Sequence, residues 1–111
     1  MVYVVQEQYG KNVLPASKYG KIIFLLKEGS QVTFSAGYVT EVLRSKLDTF
    51  CDQDYLLLIG DPVAIGIAVA MAAHWNQGRV KMLKWDKQKF EYYPVSINLF
   101  NSKKEDENEL N

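Results

Sequence analysis

"YLLLIGDPVAIGIAVAMAAHWNQG", residues 55–78, joins an apolar run to an apolar stretch of helical length through a Gly-Asp-Pro corner. Residues 55–60 show no polar alternation, as expected of a strand covered on both faces. Asp61 is suited to cap a helix beginning at Pro62, whose missing N–H would have no intrahelical partner there. At the far end "NQG" supplies the stop, with Gly78 suited to a left-handed position. Strand, tight corner and helix predict a crossover unit of a parallel sheet.

The helix itself is unusual, because no polar side chain occurs anywhere from Val63 to Ala73. It must be covered on every side, by its own chain or by another copy. Ala64, Ala68 and Ala72 form one four-residue ridge, and Gly66, Ala70 and His74 form another. Both are small enough for close approach of a neighbouring element. Ala64, Gly66, Ala68, Ala70 and Ala72 are therefore the candidate self-association residues, and a homo-oligomer is expected.

Working outward, residues 2–5 are β-branched and aromatic, which predicts a short edge strand. A loop punctuated by Gly10, Pro15 and Gly20 follows, then "KIIFLL", residues 21–26, as a strand covered on both faces. "QVTF", residues 31–34, reads as a short returning strand before a helix cap at Ser35. Val39, Val42, Leu43, Leu47 and Phe50 recur at helical spacing, so residues 37–50 predict an amphipathic helix. Beyond Gly78, Val80 and Met82 alternate with Arg79 and Lys81, and Val95, Ile97 and Leu99 alternate with Ser96 and Asn98. These predict two strands of a hairpin with a polar turn at residues 86–89, the last strand lying at an edge or carrying a bulge at Pro94. The expected fold is α/β: a small mixed sheet with two main helices and a C-terminal antiparallel hairpin. The alternative is an α+β arrangement in which the first hairpin is genuine and one crossover survives. Residues 1–100 are expected to form one compact domain, and the polar stretch 101–111 a mobile tail.

Composition narrows the function classes. Of 111 residues, 48% are hydrophobic and 23% charged, the profile of a globular chain rather than a disordered one. Thirteen basic residues balance thirteen acidic ones, so no global field draws the protein onto nucleic acid. The N-terminus lacks a signal-peptide pattern, and the longest apolar segment is too short to span a bilayer, so a cytoplasmic protein without membrane contact is expected.

Catalytic groupings are missing. His74 and Cys51 are the single residues of their kinds, too few for a zinc site or an internal disulfide. Asp52 and Asp54 follow Cys51, and their charge discourages a thiolate nucleophile. Asp54 and Asp61 sit at opposite ends of one strand, so they cannot act as a pair. No enzyme activity, metal or cofactor is expected. The Gly60-Asp61-Pro62 turn stands where α/β sheets bind ligands, yet it lacks the glycine spacing of a dinucleotide fingerprint and the lysine of a P-loop. A structural corner is its simpler reading. The best local signal is the hairpin, where Arg79, Lys81, Lys84, Lys87 and Lys89 interleave with Trp85 and Tyr92 as in single-strand binders. Against it, lysine and aromatic residues are ordinary choices on strand surfaces.

The stretches "LPASKYGKI", "YLLLIGDPVAIGIAVAMAA" and "GRVKMLKWDKQKFEYYPVSINL" resemble short proteins encoded by marine tailed phages, including cyanophages. The likeness covers most of the chain up to Leu99. It implies a phage product acting in the host cytoplasm and carries over no activity and no functional residue. Three readings follow: a self-associating phage accessory protein that acts by macromolecular binding, a single-stranded nucleic-acid module built on the hairpin, and a nucleotide-binding domain at Gly60-Asp61-Pro62.

Overall fold

The computed structural model describes residues 1–29 and 32–100, with side chains in the second stretch from residue 36 onward. Five strands form one mixed sheet in the order β2-β1-β3-β4-β5. β1 is Val2–Gln6, β2 Ile22–Leu26, β3 Tyr55–Leu57, β4 Arg79–Asp86 and β5 Glu91–Asn98. The first four run parallel, and β5 returns antiparallel beside β4. This is the expected α/β class with its C-terminal hairpin.

Right-handed crossovers dictate the layers. The path from β1 to β2 moves one way along the sheet, while β2 to β3 and β3 to β4 move the other way, so the first connection must cover the opposite face. That first connection carries a 3₁₀ helix at Leu14–Tyr19. The later two carry α1, Val32–Lys46, and α2, Pro62–Trp75, which pack on each other. Between the helices and the sheet lies the larger core, with Leu25, Leu43, Leu47 and Leu56 and with Ala64, Ala68, Ala72 and Ala73 of α2. Beneath the 3₁₀ segment lies the smaller one, where Ala16, Val2, Val4, Leu57 and Leu83 meet. Lys46 ties α1 to the sheet by donating from Nζ to the Leu25 carbonyl at 2.9 Å.

Several local expectations are corrected. β1 is not an edge strand but pairs on both sides, and all five of its residues are buried. β2 takes the edge instead, with Phe24 exposed, because an apolar run states that a strand is half or fully covered but not where the sheet ends. Residues 32–34 belong to α1 rather than to a returning strand, and Ser35 lies inside that helix. β-branched Val32 and Thr33 lower helix propensity only slightly, and packing along the rest of α1 outweighs it. Gln31 and the stretch 101–111 lie outside the described residues.

Both ends of α2 follow the sequence closely. Asp61 Oδ1 accepts the N–H groups of Val63 and Ala64 at 2.8 and 3.3 Å, with Pro62 as the first helical residue. At the other end Gly78 donates to the Ala73 carbonyl at 2.7 Å with φ of 83°, after Gln77 has already turned left-handed at 56°.

Candidate functional site

In this strand order the reversal falls between β1 and β3, and the crevice at their carboxyl ends is where open α/β sheets usually take a ligand. Here Gln6 fills it. Its Oε1 accepts the Asp61 N–H at 2.8 Å, and its Nε2 donates to the Lys27 carbonyl at 3.2 Å. Gly60 makes the corner with φ of 132°, and a Cβ there would lie 2.5 Å from Cβ of Gln6. The first donors of α2 are engaged by Asp61, and Ile65 N–H goes to the Asp61 carbonyl. Above the corner stand Glu7, Glu28 and Asp61, with Glu28 accepting the backbone N–H of Tyr9. Engaged donors and three carboxylates are a poor setting for phosphate.

Strand alternation divides the hairpin residues. Val80 and Met82 point toward the helices and Leu83 toward the 3₁₀ segment, so Arg79, Lys81 and Trp85 share the latter face with Tyr92, while Lys84 lies on the former, opposite Tyr93. Lys87 and Lys89 belong to the tip, where Asp86 Oδ1 accepts the N–H groups of Gln88 and Lys89. At the start of β4, Arg79 Nε donates to Asp52 Oδ1 at 3.0 Å, and Asn76 Nδ2 donates to the same oxygen at 2.9 Å. The hydrogen bond from Asn76, then that from Arg79, hold the Asp52 carboxyl below its ordinary range. The Lys81 ammonium sits 4.2 Å from the centre of the Tyr55 ring. Tyr92 is buried, which raises its phenol pKa, and its ring meets Trp85 edge-on at 4.9 Å. Trp85 is thus the exposed aromatic of this face of the hairpin.

α2 separates its two ridges just as sharply. Ala64, Ala68 and Ala72 are fully buried against the chain's own core, whereas Gly66, Ala70 and His74 face outward beside Val63, which is 59% exposed. Ile67 and Met71 flank that outward side half-buried. Of the five candidate self-association residues, the structure leaves Gly66 and Ala70 within reach of another molecule.

A further feature lies at the carboxyl end of β3. That strand is three residues long, while β4 and β5 run eight each, so the hairpin projects beyond its neighbour. The gap is a cleft of about 570 Å³. Leu57, Leu58 and Ile59 form one wall, Met82, Leu83, Trp85, Tyr92 and Val95 the other, and Lys11 and Lys84 also line it.

Of the chemically reactive side chains, Cys51 donates from Sγ to Asp54 Oδ2 at 3.4 Å, and His74 packs edge-on against Trp75 at 4.8 Å. Among the described residues no group of three His, Cys, Asp or Glu side chains is placed to hold a metal. No helix there is long and apolar enough to cross a membrane.

Comparison with protein families matches residues 1–99 to the phage Pam3 gp32-like proteins. The chain belongs to that family. No curated protein and no solved structure matches it.

For this phage Pam3 gp32-like chain, sequence reasoning found the corner, the apolar helix and the hairpin but missed the cleft. Its walls come from three separated segments, and its existence depends on β3 stopping short. The one available signal was the unequal length of the runs at residues 55–60 and 79–86, and it does not by itself say which strands are neighbours.

Proposed function

We propose that this phage protein is a non-catalytic accessory component that self-associates through the outward side of α2 and acts by binding a partner macromolecule. One observation carries the reading. From Val63 to Ala70 the exposed side of α2 offers only apolar or absent side chains, although a monomer would place that side in water. Gly66 and Ala70 would let a second copy approach closely, with Val63 and Ile67 supplying apolar area on either side. The marine or cyanophage setting implied by the sequence resemblance, and action in the host cytoplasm, belong to the same proposal.

Solution mass by light scattering tests it, with Ala70→Glu as the variant. A dimer or larger assembly that falls to a folded monomer on substitution supports the proposal. A native protein that stays monomeric at high concentration removes it.

A second reading, binding of single-stranded nucleic acid, draws support from Arg79, Lys81 and Trp85 sharing one face. Its test is salt-sensitive binding of an oligonucleotide, weakened by Lys81→Glu and by Trp85→Ala. Absence of salt-dependent binding counts against it. Nucleotide binding at Gly60-Asp61-Pro62 gains nothing from a corner already filled by Gln6.

A further inference from the structure

We propose that the cleft at the end of β3 is a binding site for a small aromatic anion, a flat ring system carrying one carboxylate or phosphate. Its volume of about 570 Å³ falls in the range of small-molecule sites. It also lies at the carboxyl edge of the parallel strands, one strand removed from the crevice that Gln6 closes. A ligand excluded from the usual position finds the adjacent one open.

Two features set the chemistry. The walls are apolar and include the ring of Trp85 and the buried Tyr92, already edge-on to each other, so a flat ring entering the cleft meets aromatic edges and faces with little rearrangement. Among the described residues, the charged side chains lining it are Lys11 and Lys84, from the loop after β1 and from the projecting part of β4. Among the described residues neither ammonium has an ion-pair partner, and no carboxylate lines the cleft. Two unpaired cations beside an apolar slot complement an anionic group on an apolar body. A cation or an uncharged sugar would meet the wrong charge or leave its hydroxyls without partners.

The experiment is an NMR titration of the full chain with 1-naphthoate, 1-naphthyl phosphate and the neutral 1-naphthalenemethanol, read at backbone amides. Either anion is expected to shift residues 57–59 and 82–85 together with Lys11, and to bind roughly fivefold more tightly than the alcohol, as two partly exposed charge contacts would give. In the Lys11→Gln, Lys84→Gln double variant, whose changes are confined to side chains lining the solvent-open cleft, anion affinity falls to that of the alcohol. Trp85→Ala weakens all three. The proposal is overturned if neither anion shifts those amides at millimolar concentration, if the shifts map to α2 instead, or if the double variant binds the anions as well as the parent does.

Discussion

Gln6 reaches from the end of β1 into the corner after β3 and accepts the Asp61 N–H at 2.8 Å, while its own amide donates to Lys27 at the end of β2. One side chain therefore links three adjacent strand ends at the place where a ligand would otherwise enter. In the Gly-Asp-Pro sequence that looks like a ligand loop, the Asp61 N–H, carbonyl and Oδ1 are already engaged with the protein.

Gly60→Ala probes that corner. The added methyl group meets Cβ of Gln6 at 2.5 Å on a backbone whose φ is 132°, so the fold is expected to lose about 2–3 kcal/mol in urea denaturation. Because the obstructing atom is Cβ, combining the change with Gln6→Ala does not restore stability. Recovery in the double variant would show that the corner is looser than described.

The two sides of α2 should respond oppositely to charge. Ala68→Glu buries a carboxylate against the core and is expected to cost about 3 kcal/mol or more, whereas Ala70→Glu should change the stability of the isolated chain by no more than about 0.5 kcal/mol. Urea titrations at low protein concentration distinguish the two. Equal losses would mean that α2 is covered on both sides.

At the hairpin tip Phe90 holds φ of 53° while its side chain is 75% exposed. A bulky residue is strained there and gains little from packing beyond its contact with Trp85 at 6.5 Å. Phe90→Gly is therefore expected to stabilise the fold by about 0.5–1 kcal/mol, read from the urea midpoint. A loss instead would show that the Trp85 contact outweighs the backbone strain.

Asp52 gives a pH signature. Hydrogen bonds from Asn76 and Arg79 hold its carboxyl below the ordinary range, so its contribution to stability is complete above the unfolded value and drains away as pH falls through the lower folded one. Asp52→Asn should be less stable than the parent at neutral pH, and the difference should close only below the ordinary carboxylate value of about 3.9. Paired urea titrations across that window check it. A difference that is constant with pH would assign the loss to geometry rather than to charge.

Sequence legibility followed the range of each interaction. Asp61, Pro62 and Gly78 act on backbone within a few residues, and the structure places all three as read. Hairpin alternation turned Val80 and Met82 toward the helices as read, but the other face of β4 meets the second core through Leu83 rather than water. What failed depended on distant neighbours. Val2 to Val5 carry the residues of a strand, but only the pairing with both β2 and β3 makes that strand central. The ridges of α2 are chemically alike, and only their position relative to the sheet decides which one is available. The cleft was invisible because it is a difference between strand lengths, not a residue pattern.

The central position of β1 has a consequence for synthesis. Both of its partners lie downstream, and its second, β3, begins at Tyr55. At a translation rate of roughly 5–20 residues per second, about 3–10 s separate the two segments, and during that interval one edge of an apolar strand has no partner. Nascent chains halted before Tyr55 should therefore be captured by holding chaperones and prone to edge pairing with one another, while chains halted past β3 should not.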